Sequence, residues 1–226
     1  MFKDKTLLIT GGTGSFGKAV LSRFLSEDFK EIRIFSRDEK KQESMRIDLN
    51  NEKVKCYFKD KNEGKGSNIK NALKYAAGDL ILFQDADLEY HPENYPDLIY
   101  PFLKNEADVV YGSRLTGSKT TKIMGWSHRV GNNAFTLLAN ILFNRIFTDI
   151  ATGYKVFKKD LIKNMDIKSN GFEIEPEITA KICKNNKLNI YEVPITIYSR
   201  NYDEGKKVRW WDFFIYIYTL LKWRIF

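Results

Sequence analysis

Short apolar runs alternate with helix-spaced segments over most of the chain. Thr6–Thr10 is an apolar run that ends in glycines, and Phe16 to Leu25 repeats apolar residues at helical spacing. Glu31–Ser36 predicts a second strand, Glu39–Leu49 a polar helix, and Val54–Phe58 a third strand. That β-α-β-α-β order calls for parallel strands joined by right-handed crossovers. Beyond it, Gly66 to Ala77 reads as a helix and Asp79 to Gln84 as a buried strand that stops at acidic residues. Tyr95 to Lys104 is helical, and Ala107 to Gly112 is another strand. Phe135, Leu138, Ile141, Leu142 and Ile146 predict a long helix over Gly131 to Phe147. The pattern predicts one α/β domain with a mainly parallel central sheet flanked by helices.

The tail reads differently. Residues 209–226 are dominated by Trp, Phe, Ile, Tyr and Leu, and the run is too short and interrupted to span a bilayer. With Lys206, Lys207 and Arg209 beside it, it suits an interfacial helix at a membrane surface. A C-terminal helix docked on the protein's own core or on a second chain fits equally.

At 226 residues, 43% hydrophobic and 29% charged, the chain is neither disordered nor a fibrous repeat. Cys56 and Cys183 make no C-x-x-C pair and no disulfide framework, and the N-terminus has no long apolar segment. A reduced, cytoplasmic setting is expected, with peripheral contact at the inner membrane face as the variant. The formal charge of +8 favours an anionic partner, but scattered lysines and the lack of nucleic-acid motifs point away from DNA or RNA.

Gly11, Gly14, Ser15, Phe16 and Gly17 lie in a glycine loop that follows the first strand and opens a helix. In that context glycines let the backbone approach a pyrophosphate at a helix N-terminus. Arg37, after the second strand, suits a 2′-phosphate, so NADP(H) is the candidate dinucleotide. A tight strand-to-helix turn without a ligand is the plainer alternative. Residues 2–50 resemble the extended short-chain dehydrogenases/reductases, specifically the nucleotide-sugar 4,6-dehydratases, through Leu8 to Gly17 and Ile32 to Glu39. That family's Tyr-x-x-x-Lys pattern occurs three times (Tyr57/Lys61, Tyr154/Lys158, Tyr218/Lys222), none in a recognisable catalytic segment.

Gln84-Asp85-Ala86-Asp87 closes the buried strand, where α/β folds place ligands. Paired carboxylates there suit Mg2+ or Mn2+ on a diphosphate. From about residue 53 to 226 the chain resembles the family-2 glycosyltransferases, in particular the dolichyl- or polyprenyl-phosphate hexose synthases. The matching stretches are Asn62 to Gly66, Gly78 to Tyr90, Asp108 to Arg114, Thr148 to Lys155, Gly171 to Glu177, Glu192 to Ile195 and Tyr198 to Lys207. The resemblance implies a GT-A-type Rossmann-like fold, a nucleotide-sugar donor and a polyprenyl-phosphate or glycan acceptor. It gives Asp85 and Asp87 the metal, with Asp87 also catalytic. Arg114, Arg200, Lys206, Lys207 and Lys65 take substrate phosphates, and Asp149, in the segment that faces the acceptor, is the second catalytic candidate, with a helix cap as its plainer alternative. Glu173, Glu175 and Glu177 either align on one face or form a solvated acidic loop. His91 and His128 are too isolated for a metal pair.

Two segments that normally open a family-2 transferase, Pro-x-Tyr-Asn-Glu and Asp-Asp-Gly-Ser, are absent. The reductase-like piece stands in their place, which implies a fusion with a junction between Met45 and Lys59: residues 1–50, then a transferase-like segment over 51–208, then the aromatic helix. A metal-dependent sugar transferase is the leading expectation. An NADP(H)-binding Rossmann-like protein, or an inactive chimeric scaffold, is the alternative.

Overall fold

The computed structural model describes residues 3–36, 39–58, 64–85, 90–104, 106–117, 126–197 and 212–225. Its first half follows the expected alternation: β1 (Thr6–Thr10), α1 (Ser15–Phe24), β2 (Glu31–Ser36), α2 (Glu39–Leu49) and β3 (Val54–Phe58). The three strands pair in parallel in the order β1-β2-β3, with Ile9 opposite Ile34 and Ile34 opposite Cys56. Then come α3 (Lys65–Tyr75), β4 (Leu80–Phe83), a single 3-10 turn over Pro92–Asn94, α4 (Tyr95–Leu103) and β5 (Val109–Ser113).

The second half supplies what periodicity left out. β6 (Lys155–Lys158) enters between β4 and β5, antiparallel to both, and β7 (Ile190–Pro194) joins β5 in parallel. Three of the five strand pairings are thus parallel, and β6 alone runs against its neighbours. Between these strands lie α5 (Trp126–Phe143), α6 (Lys159–Lys163) and α7 (Ile174–Lys184), and α8 (Asp212–Ile225) follows. The α5 helix begins before and ends before the expected Gly131–Phe147 span. Asn144 takes a left-handed φ of 50° and turns the chain out of the helix.

Burial explains why β5 and β6 escape alternation: both faces are covered. Val109, Val110, Tyr111, Val156 and Phe157 have no exposed surface. Such strands read as continuous apolar runs. Ile9, Phe24, Ile32 and Ile34 share one buried cluster with Leu98, Val110, Val156 and Ile195, so the N-terminal strands and the later sheet bury a common core. Phe24 of α1 stacks on Tyr95 of α4 at 5.4 Å, with the rings 8° from parallel. The sheets adjoin where Lys5 pairs with Asp79 and where a Cβ on Gly78 would lie 3.2 Å from the Thr6 carbonyl oxygen.

Candidate active site

β4 and β5 both run against β6, so they point the same way and deliver their following residues, Asp85 and Arg114, to one sheet edge. Lys5 and Asp79 precede β1 and β4, which places the glycine loop after β1 on that edge too. This is the edge at which open α/β sheets bind ligands.

Arg114 is held by a fork. Its Nε and Nη2 donate to Asp149 Oδ2 and Oδ1 at 2.6 and 2.7 Å, and its backbone N–H reaches Oδ2 at 3.1 Å. Asn132 Nδ2 adds a fourth hydrogen bond to the same carboxylate at 3.0 Å. Asp149 is completely buried. Burial alone would raise its carboxyl, but the Arg114 guanidinium and the Asn132 amide outweigh it and hold the group below the usual carboxylate range. The turn carrying Asp149 is fixed from β7, where Glu192 accepts the backbone N–H groups of Thr148 (2.9 Å) and Asp149 (3.1 Å). Asp149 therefore spends its oxygens on Arg114 and Asn132.

A second chain of charges begins at Asp85. Its Oδ1 accepts Lys65, the first residue of α3, and Lys65 also pairs with Glu175 at 2.7 Å. Glu175 in turn pairs with Lys155, whose side chain is only 1% exposed and whose Nζ donates to the Thr152 carbonyl at 2.6 Å. Burial pushes the Glu175 carboxyl up, yet Lys155 and Lys65 dominate and bring it down to about 2. Lys65 is held above its ordinary value by Glu175 and Asp85, against the opposing effect of burial.

Tyr90 closes the space between the two charge sets. The Gly153 N–H donates to its hydroxyl oxygen at 2.8 Å, and Arg114, Asp85 and Asp149 all act on its titration, which burial raises to about 12. Gly153 is required here, since a Cβ would meet the Tyr90 ring at 2.8 Å and Asp85 Oδ2 at 2.9 Å. Sequence reasoning gave no role to Tyr90, Gly153, Lys155 or Glu192, although each lies in a family-2-like stretch, and it missed Asn132 altogether. Lys155 carried a further signal, as a lysine opening the apolar run Lys155-Val156-Phe157.

Of the expected site residues, the structure brings together Asp85, Lys65, Arg114 and Asp149. Asp87, Arg200, Lys206, Lys207 and Arg37 lie outside the described residues. Glu173, Glu175 and Glu177 form neither a common face nor a solvated loop. Glu173 accepts the Asn170 and Gly171 N–H groups, Glu177 those of Lys168 and Ser169, and Glu175 joins the lysines. Gln84 turns away from Asp85 and ties Tyr95 to the Tyr90 carbonyl. Tyr154 and Lys158 are no catalytic pair: the tyrosine hydroxyl donates to the His91 carbonyl, and the lysine pairs with Asp108. Among the described residues, no three Asp, Glu, His or Cys side chains converge as a metal cluster. Of the two carboxylates expected to hold the metal, Asp85 is the described one; it offers the hard oxygen that Mg2+ or Mn2+ prefers, and Lys65 supplies the counter-charge beside it.

The glycine loop is tightly closed. A Cβ on Gly17 would lie 2.3 Å from the Gly12 Cα, and one on Gly12 would lie 2.6 Å from Ile34 Cγ2. Gly11 takes a φ of 67°, and the Gly14 N–H donates to the Gly11 carbonyl at 3.0 Å. Thr13 and Ser36 join hydroxyls beneath it. Gly14 precedes α1, which starts at Ser15 and buries Phe16. Packing therefore accounts for Gly12 and Gly17, and the positive φ for Gly11, without a dinucleotide.

A family model described as Glycosyl transferase family 2 matches residues 34–166. The match starts within β2, upstream of the expected boundary near residue 53. A 97-residue segment is 55% identical to the UDP-glucose 4-epimerase of Rickettsia massiliae (strain Mtu5), covering 41% of this chain and 28% of that protein. The corresponding figures for Rickettsia bellii (strain RML369-C) are 56%, 41% and 28%. The chain thus spans little more than a quarter of these relatives. Among solved structures, the glucosyl-3-phosphoglycerate synthase of Mycobacterium tuberculosis in complex with Mn2+, UDP-glucose and phosphoglyceric acid aligns with a TM-score of 0.69. Identity is 18%, and the alignment covers 98% of this chain and 80% of that one. The UDP complex of the same synthase gives 0.68 at 16% identity. These likenesses establish an α/β fold of the GT-A type.

Proposed function

The chain belongs to glycosyl transferase family 2, and from that premise we propose that it moves a sugar from a nucleotide-sugar to the phosphate of a polyprenyl-phosphate or similar acceptor. The observation that carries this reading is the Arg114 fork, anchored by the buried Asp149 on the same strand-end edge as Asp85. Asp149 takes the Nε and Nη2 edge and fixes the plane of the guanidinium, so that a phosphate oxygen would be met from its Nη1 side. That the aligned synthase is in complex with Mn2+, UDP-glucose and phosphoglyceric acid supports a nucleotide-sugar donor.

In the reaction, an acceptor phosphate oxygen bonds to the anomeric carbon as the bond from that carbon to the diphosphate breaks, and nucleoside diphosphate leaves. The acceptor is already an anion, so no residue need remove a proton from it. Arg114 steadies phosphate charge, and Asp149 acts through it as a positioning residue. Lys65, held charged between Asp85 and Glu175, adds positive potential next to the donor diphosphate. Asp85, with Asp87 beyond the described residues, would hold a Mg2+ or Mn2+ ion. Such an ion neutralises a leaving diphosphate. Arg200, Lys206 and Lys207 would extend the phosphate contacts. The epimerase-like segment we read as a second ancestry within one α/β domain; at 97 residues it is longer than the expected 1–50 piece and overlaps the family-2 match over 34–166.

The test uses the full chain with a panel of nucleotide-sugars, Mn2+ and a polyprenyl phosphate, and follows nucleoside diphosphate release and sugar-lipid formation. Arg114→Lys, which keeps the charge but loses the fork, should lower turnover roughly 10–100-fold. Folded protein that releases no nucleoside diphosphate from any donor refutes the reading. A thermal shift with NADP(H) alone would then favour the dinucleotide-binding alternative.

A further inference from the structure

α5 and α8 lie side by side and run in the same direction. The Phe135 ring meets that of Tyr216 at 5.6 Å, and farther along both helices Arg224 Nε donates to the Leu142 carbonyl at 2.7 Å. Toward the protein, α8 turns Phe213, Tyr216, Leu220 and Trp223, the last covered by Lys181 of α7 at 3.8 Å from its ring centre. This spacing of three or four residues is that of a buried helix stripe.

The outer surface is also apolar, which a helix docked only on its own core does not need. On α8, Tyr218 is 65% exposed and Ile225 75%, with Ile215 and Leu221 also exposed. On α5, Leu137 and Ile141 are 59% and 70% exposed, one helical turn apart. Ile146, in the turn after α5, is 95% exposed and lies at the same end of the pair as Ile225. Charge follows one sign. Across α5, the turn to Thr148, and α8, the ionised side chains are Arg129, Arg145, Lys222 and Arg224 against Asp212 alone.

We propose that this two-helix face lies on the surface of an anionic lipid bilayer. Exposed Ile and Leu with Tyr218 suit the acyl-headgroup boundary, and Arg129, Lys222 and Arg224 suit the anionic headgroups around it, whereas Arg145 is turned to the Asn185 carbonyl and Asn186. The face rests on the membrane and does not cross it. α8 has 14 residues, about 21 Å of helix, against a hydrocarbon core of about 30 Å. No described helix is long and apolar enough to span. A second copy is the poorer occupant, because a two-fold contact would set the same basic residues against each other. The proposal goes beyond sugar transfer, and its test uses no turnover, so either can fail alone.

The full chain is sedimented with vesicles of phosphatidylcholine alone and of phosphatidylcholine with about 30 mol% phosphatidylglycerol, at low and high salt. Binding should favour the anionic vesicles and weaken with salt. Lys222→Gln should weaken it about fivefold, and Ile141→Glu with Tyr218→Glu by tenfold or more. The substituted positions are solvent-exposed, and an unchanged thermal melt shows that the fold survives. Failure to bind either vesicle, or binding that ignores both sets of substitutions, overturns the proposal. So does a dimer, seen by analytical ultracentrifugation, that the double substitution dissolves while vesicle binding is absent.

Discussion

Lys155→Met tests how the buried charges are balanced. Methionine keeps an unbranched side chain of similar length in a site where lysine is 1% exposed, so packing is nearly conserved. What is lost is the pair with Glu175 and the hydrogen bond to the Thr152 carbonyl. Glu175 then keeps Lys65, a cation whose own side chain is 21% exposed and shared with Asp85. Removing one partner of a buried ion pair costs about 3–5 kcal/mol, because the remaining charge stays desolvated. For a chain of this size that is a fall in melting temperature of about 6–20 °C. Urea titration reads the same quantity, with an unchanged slope showing that the native and unfolded states keep their compactness. The double change Lys155→Met with Glu175→Leu should recover much of the loss, since replacing both partners with apolar side chains leaves no buried charge uncompensated. A single-mutant cost below about 1 kcal/mol, or a double mutant no better than the single, would refute the reasoning.

Three further outcomes are expected. Acid should destabilise the fold through Glu175: its carboxyl lies at about 2 when folded against 4.5 when free, so its contribution is present above pH 4.5 and is lost as pH falls toward 2. Asp149, also lowered, adds in the same direction, and a melting temperature that stays level between pH 6 and 3 would contradict both. Gly153→Ala should cut nucleoside diphosphate release by on the order of 100-fold by pushing Tyr90 and Asp85 apart, while wild-type turnover would remove the packing argument. Gly17→Ala should destabilise more than Gly12→Ala, within about 1–3 kcal/mol by urea titration, because its new methyl meets backbone and not the Ile34 side chain. The reverse order would place the strain elsewhere.

Wherever hydrophobic period and glycine punctuation agree, the fold was legible. β1, β2, α2 and β3 fall on their expected residues, the strands as short apolar runs and α2 as the polar stretch between two of them. β6 was invisible for a physical reason: it opens with a lysine, and its other core residues make a run too short to tell from a loop. The lysine is tolerated only because Glu175, far along the chain, neutralises it. The site was half legible. Acidic residues at a strand end and an arginine after the next strand announce themselves, but the clamp on Arg114 does not. It depends on a turn at 148–149 that Glu192 fixes from another strand, a tertiary arrangement with no local pattern. The three glutamates near Glu175 show the opposite failure, since a regular spacing there serves three unrelated local tasks.

The placement of β6 also sets an order of assembly. The β1-β2-β3 sheet pairs neighbours in sequence and can form as soon as its residues leave the ribosome. β4 must wait for β6, whose Lys158 lies opposite Leu80. At about 5–20 residues per second that wait is several seconds. Until β6 arrives, β4 and β5 are apolar strands without the neighbour that separates them, the stage at which a nascent chain is most open to mispairing. Gly153 and Tyr154 enter immediately ahead of β6, so Asp85 meets Tyr90 and Gly153 only when the sheet closes. The active edge is complete only once β6 and then Glu192 of β7 have been added, and a chain stalled before residue 158 would carry β1–β3 without their full core and no site.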